Sequence, residues 1–417
     1  MDLTIFFGLL GGLIVLAFVA NRLFRHTRVP DLVVLIVVGI LIGPVFHWIN
    51  ADQFRPVTQA FGTLALIVIL FEGGLELKIR DTLRHFPGAF LLSALSFILT
   101  VGLTALVASV GLGLPLVSSL LIGAVVGCTS SSMVLPILQQ MQASTAIKVT
   151  LLLEASLADV LAVLTAESLL NLHAGTDFHT VLRTLAGEFG IPLILAVAVG
   201  ILWSRLLPLL SEQRFWHVLT FGVVLLLYAC SNALHGNGLI AVLVFGLTLA
   251  NFSGLMRPSI EGTEGLGDAP GQEHVPILNF HSELAFLLRT FFFALLGAVM
   301  ELVPIQYILP TAGIVGAIFL ARWLATVASR WSWHEVPKEE RELIVWILPR
   351  GLITAVLAIQ VVQARGSEFA FLPAVAFAVI LVTNVIVIVG SVRFKKRSQA
   401  SHQSVEESIP ASPPANS

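Results

Sequence analysis

A chain of 417 residues that is 57% hydrophobic and 12% charged is too apolar for a soluble protein, because soluble domains carry about 25% charged residues. A formal net charge of −2 offers nucleic acid no electrostatic handle. The two cysteines, Cys128 and Cys230, both fall in apolar stretches and support neither a disulfide framework nor a cysteine metal site.

Apolar windows of about 20 residues, enough to cross the hydrocarbon core, recur along nearly the whole sequence. They predict thirteen spans, at 3–24, 30–48, 58–77, 87–111, 115–138, 147–172, 185–208, 215–234, 237–254, 277–300, 304–329, 341–364 and 369–392. The first is read as a retained span, since no basic residue precedes it and Arg22, Arg25 and Arg28 follow it. Asp31, after Pro30, reads as a cap on the second.

With the N-terminus outside and alternating spans, eighteen lysines and arginines fall on the inside, among them Arg322 at the end of the eleventh span. Three, Arg55, Arg183 and Arg365, fall outside. This positive-inside asymmetry places the C-terminus in the cytoplasm of a multi-pass inner (plasma) membrane protein. Residues 1–393 form the transmembrane domain, with a Gly, Pro and acid-rich cytoplasmic connector at 251–275. A basic and then Ser, Pro and Glu-rich tail at 394–417 is expected to be disordered.

Charged residues at a span centre cost about 2.5–3.5 kcal/mol each on insertion scales, so each needs a reason. Glu72, Glu154, Asp159, Glu167, Arg289 and Arg350 are such cases. Glu154 and Arg350 lie at matching depths, about 10 and 14 Å from the cytoplasmic ends of their spans. They are read as a structural ion pair that holds two spans in register. Asp159 sits five residues further on, about 140° round the helix and facing other surroundings. Burial penalises its bare charged form, so a proton and a cation can compete for this one carboxylate.

The run Thr129, Ser130, Ser131, Ser132, flanked by Gly127 and Pro136, predicts a helix break whose hydroxyls and carbonyls could ligate a dehydrated cation. A second interruption appears in WILPRGLITAVLA, where Pro349 and Gly351 flank Arg350. Interrupted spans seven apart and of opposite direction are the pattern of inverted-repeat transporters, with the site at the midplane. Glu72, in FEGGLEL near the cytoplasmic end of the third span, reads either as a site-proximal acid or as a solvated funnel acid. Ser131, Ser156, Glu167 and Arg289 are accessory candidates, with Glu72 and Glu283 as partners for Arg289. His26, His47 and His281 fall near span ends.

At these residues the chain resembles the monovalent cation/proton antiporters, in particular their sodium/proton exchanger branch. The resemblance runs through VPDLVVLIVVGILIGP, LFEGGLEL, the Thr-containing break, the acid pair of the sixth span, RTFFFALLG and the PRG of the twelfth. It implies an all-α polytopic membrane fold with two crossing interrupted helices, and an elevator-like motion of a core domain against a dimerisation domain in a homodimer. It also implies no cofactor, transport of Na+ or K+ against H+, and a part in pH homeostasis. By this resemblance Asp159 binds proton or cation, Thr129 lies in the crossing break, and Glu72 is the site-proximal acid; the cation ligands Thr129 and Ser130 are read from the hydroxyl run itself.

Three positions depart from the family pattern: Ala158 stands where Asn is common, Ser130 where Asp is common, and Ala155 where some members carry serine. Fewer carboxylate and amide ligands make K+ a rival to Na+. One exchangeable carboxylate implies electroneutral, one-for-one exchange. The rivals are a sodium-coupled solute symporter or an ion channel on the same plan. An intramembrane hydrolase is a poor reading, because no histidine or second acid is placed to activate a serine.

Overall fold

The computed structural model describes residues 8, 11–19, 22, 31–48, 51–76, 86–130, 133–134, 137–138, 141, 144–171, 178–210, 215–256, 275–299, 303–333, 336 and 340–407. Every regular element among them is helical. In hydrocarbon a helix satisfies its backbone internally, and long apolar runs leave little alternative. Helices α1 (Asp31–Ile40), α2 (Ala51–Glu76), α3 (Phe86–Leu112) and α4 (Leu116–Gly127) are followed by α5 (Thr145–Asn171), α6 (Phe178–Leu210) and α7 (Trp216–Ala233). Then come α8 (Gly238–Met256), α9 (Val275–Val299), α10 (Ile305–Ala328), the short α11 (Arg341–Trp346), α12 (Leu352–Arg365) and α13 (Leu372–Glu407). Seven of the described helices are long and apolar enough to cross a bilayer, and four shorter apolar helices accompany them. Large apolar side chains such as Val110, Ile194, Leu226 and Leu309 lie exposed, a surface that suits lipid and not water.

The helices sort into two groups. In one, α2 packs on α8 and α9, α9 on α1, and α8 on α6 and α7. In the other, α3 packs on α10, α4 and α5, and α13 packs on α10, α11 and α12. Helix α12 also touches α4 and α5, and it meets α2 of the first group. Close crossings rest on small residues, as is usual where lipid supplies no hydrophobic drive between helices. At the α1–α9 crossing a Cβ on Gly39 would come within 2.9 Å of the Gly297 Cα.

The second broken helix clamps both ends of α5. Glu340, just before α11, accepts the Ser144 N–H at 2.9 Å and the Ser144 hydroxyl at the α5 N-terminus. Arg365, at the end of α12, donates to the Leu169 and Leu170 carbonyls at 3.0 and 3.3 Å. An acid at the start of a helix and a base at its end each complement the helix dipole. This fixes the axial position of the helix that carries Glu154 and Asp159.

Two boundaries differ from the sequence reading. Helix α8 runs on to Met256, into the stretch expected to be a connector, and 257–274 lie outside the described residues. Helix α13 continues to Glu407, through residues expected to be disordered from 394. Lys, Arg, Gln, Ala and Glu propagate a helix well, and no Gly or Pro intervenes before Pro410. At 36 residues it is about 54 Å long, well beyond the roughly 30 Å hydrocarbon core.

Candidate functional site

Two helix breaks meet at the centre of the second group. Helix α4 ends at Gly127, and Cys128 is extended (φ −76, ψ 148). Helix α11 ends at Trp346, and α12 begins after Gly351 (φ −153, ψ −139). The Ser130 N–H donates to the Pro349 carbonyl at 2.8 Å, so the breaks are joined backbone to backbone. The Ser130 carbonyl accepts Met133 and Val134 N–H at 3.1 Å.

Unwound backbone at this depth needs partners, because each orphaned group costs several kcal/mol. Thr383 and Asn384 of α13 supply two of them. The Arg350 N–H donates to Thr383 Oγ1 at 3.2 Å, and Asn384 Nδ2 donates to the Arg350 carbonyl at 2.9 Å. The crossing leaves no room at Gly351, where a Cβ would lie 2.8 Å from Ser130 Cβ. Gly351→Ala is therefore expected to cost about 1–3 kcal/mol by overpacking. A lower unfolding temperature in detergent checks this, and adding Ser130→Gly should make the two changes less than additive.

Two buried arginines hold the ends of the unwound segments. Arg350 donates through Nε to the Val126 carbonyl at 2.6 Å and through Nη1 to Thr129 Oγ1 at 3.3 Å. Arg322 of α10 donates through Nε to the Ile344 carbonyl at 2.7 Å and through Nη2 to the Ile347 carbonyl at 3.0 Å. Each guanidinium thus lies at the C-terminal end of the first half of a broken helix, where carbonyls are unsatisfied and the dipole is negative.

Glu154, fully buried, has a different partner from the expected one. Its Oε1 lies 2.7 Å from Arg322 Nη1, and its Oε2 accepts from Arg322 Nη2 at 3.1 Å. Among the described residues Arg350 is hydrogen-bonded to Glu154 through Thr129, whose hydroxyl donates to Glu154 Oε1 at 3.1 Å. The expected Glu154–Arg350 pair is therefore replaced by a Glu154–Arg322 pair with Thr129 as a bridge. The reason lies in Arg322: six residues before the helix end, it turns inward, whereas the sequence reading placed it among the flanking cytoplasmic charges. Arg350 is then left to act electrostatically on Asp159 as well as on Glu154.

Asp159, 3% exposed, lies on the wall of a small cavity. The other described lining residues are Ile69 of α2, Cys128 and Ser130 of the first break, and Gly351, Leu352 and Ile353 of the second. The site thus combines one carboxylate with a hydroxyl, a thiol and the backbone of two breaks. The sodium/hydrogen exchanger family, described as transmembrane, matches this chain over residues 13–395.

The chain belongs to the sodium/hydrogen exchanger family. It is similar to "Na(+)/H(+) antiporter 1" of Methanocaldococcus jannaschii, at 26% identity over 383 residues, covering 87% of this chain and 84% of that protein. It is also similar to "K(+)/H(+) antiporter NhaP" of Alkalimonas amylolytica, at 26% identity and 86% of this chain, and there it spans 60% of the relative's length. The fold matches the solved structure of the M. jannaschii sodium proton antiporter MjNhaP1 at pH 8, with a TM-score of 0.73 and 20% identity over 94% of this chain and 96% of that one. An electron-microscopy structure of MjNhaP1 matches at the same TM-score and 22% identity, over 99% and 100% of the chains.

The remaining candidates scatter around this family fold. Thr129 belongs to the arginine–glutamate network, and the cavity wall is made by its neighbours Cys128 and Ser130. Glu72 lies one turn beyond Ile69 and outside the cavity lining. It accepts the Ser282 hydroxyl and feels the charge of Arg289, one of the two acids named as candidates for that arginine. The Ser156 hydroxyl donates one turn back to the Leu152 carbonyl at 3.0 Å. Glu167 is half-buried on α5, within electrostatic reach of Tyr228 of α7. His281 is buried with its ring 4.7 Å from that of Phe71. Ser131 lies outside the described residues. Ala155 and Ala158 are buried, so neither departure from the family pattern is made good by a polar atom of its own.

Sequence reasoning missed Cys128, Arg322, Thr383 and Asn384. The pair Thr383 and Asn384 carried a usable signal, an amide and a hydroxyl side by side in the otherwise apolar AVAFAVILVTNVIVIV. Among the described residues no group of three or more His, Cys, Asp or Glu is arranged to hold a metal ion. The described lining of the cavity holds one carboxylate, that of Asp159.

Proposed function

We propose that the chain is a secondary active antiporter exchanging Na+ or K+ for H+ across the inner (plasma) membrane. The observation that carries this reading is Asp159 on the wall of a cavity shared by the two crossing breaks. The antiporter names of the relatives support it. A proton or a monovalent cation neutralises Asp159 equally, so both loaded forms cross with the same charge and the bare carboxylate does not. Exchange is then one for one and electroneutral. Ser130 and the carbonyls of the breaks are the ligands available to a cation there, with Glu72 attracting cations one turn away.

The motion we propose is elevator-like, the group containing α3–α5 and α10–α13 moving against the group containing α1, α2 and α6–α9. Thirteen spans in inverted repeats, with the N-terminus outside, the C-terminus cytoplasmic and two copies per assembly, complete the proposal. A role in pH homeostasis follows from the reaction itself.

The test is proton flux in proteoliposomes after pulses of Li+, Na+ or K+, from neutral to alkaline pH. Flux driven by Na+, K+ or both is expected, and clamping the membrane potential should leave its rate unchanged. Flux with none of the three cations would overturn the proposal.

A further inference from the structure

Cys128 and Asp159 line the same cavity, and both are buried. The thiol Sγ lies 3.4 Å from Thr354 Oγ1 of α12, and Asp159 and Arg350 both act electrostatically upon it. Sulfur is a poor ligand for hard ions such as Na+ and K+ but a strong one for soft d10 ions. A small monovalent cation that reaches Asp159 therefore meets a soft donor on the same wall.

We infer that the cavity is also a binding site for soft monovalent cations, with Ag+ as the simplest, held between the Cys128 thiolate and the Asp159 carboxylate. On binding, the Cys128 S–H bond breaks, an S–Ag bond forms and the proton passes to solvent, with no change of oxidation state. Two ligands suffice because Ag+ accepts near-linear coordination. The thiolate and carboxylate charges offset Ag+ and the nearby Arg350. An ion bound through sulfur is released far more slowly than one bound through oxygen, so Ag+ blocks the cavity where Na+ or K+ would pass. Blocking of transport rests on the exchange reading above; binding itself does not.

The test uses the full chain with Cys230→Ser, which leaves Cys128 as its only thiol, in chloride-free nitrate buffer so that silver stays dissolved. After free metal is removed, elemental analysis should find one silver ion per chain. Cys128→Ser and Cys128→Ala, each in the Cys230→Ser background, should lose it, and Asp159→Asn should weaken binding by roughly tenfold or more. Cation-driven proton flux, expressed relative to each variant's own silver-free rate, should fall at equimolar silver in the Cys230→Ser chain and resist silver in both Cys128 variants. Silver retained equally by the Cys128 variants, or inhibition undiminished in them, would overturn the inference. If no variant shows flux even without silver, the exchange proposal fails while the silver stoichiometry still decides this one.

Discussion

Asp159→Asn should reduce cation-driven proton flux in proteoliposomes to the level of protein-free vesicles. Asparagine keeps the shape and the hydrogen-bonding reach of the side chain but takes up no proton and carries no charge for a cation. No second carboxylate stands on the described cavity wall to replace it. Glu154 cannot take over, because both of its oxygens face Arg322. The protein itself should survive, since the change removes a buried charge. A normal elution profile and unfolding temperature, together with absent flux for Na+ and K+, are the expected results. Undiminished exchange in this variant would remove Asp159 from the mechanism.

Arg322→Met carries the largest expected cost in stability. Removing one partner of a buried ion pair strands the other charge, at about 3–5 kcal/mol. Here the loss also frees the Ile344 and Ile347 carbonyls at the end of α11. Among the described residues Thr129, donating to Oε1 at 3.1 Å, is then the partner left to Glu154. A large drop in the unfolding temperature of the detergent-solubilised protein, or a collapse in yield, is expected. Adding Glu154→Gln should recover part of the loss, giving a double-mutant coupling of at least about 1 kcal/mol between the two sites. The same cycle between Glu154 and Arg350 should return a smaller coupling, because those residues are hydrogen-bonded through the Thr129 hydroxyl. Equal coupling in the two cycles would contradict the observed pairing.

The error over Glu154 shows where a sequence stops being readable. Depth along a helix can be estimated from residue counts, and on that count Glu154 and Arg350 are neighbours in height. Lateral position cannot be, because it depends on which helices pack together. Arg322 looked like a charge reaching for the cytoplasm since it stands near a span end, and long basic side chains there normally do so. Only the packing of α10 beside α11 turns it inward. The breaks themselves were legible because Pro349, Gly351 and the hydroxyl run are poor helix residues whatever surrounds them. Asp159 was legible because a charge in an apolar run is costly anywhere in the membrane. Cys128 was invisible for the opposite reason: a cysteine among valines is unremarkable until its neighbours across the cavity are known. Beyond 394, composition that suits disorder also suits a solvated helix, and there α13 runs on to Glu407.

One consequence of the cavity's construction concerns how Asp159 could change sides. Six of its seven described lining residues come from α4–α5, α12 and the breaks beside them, a body stitched by the Ser130–Pro349 bond and by the grip of Glu340 and Arg365 on α5. The seventh, Ile69, belongs to α2 across the boundary between the helix groups. Pulling the breaks apart would open the stitched body at the site itself. Slipping that body along Ile69 would not, because a branched hydrocarbon has no donor or acceptor to trade. Under the exchange reading proposed above, the motion is therefore a slip along α2, with the candidate site lying against that boundary.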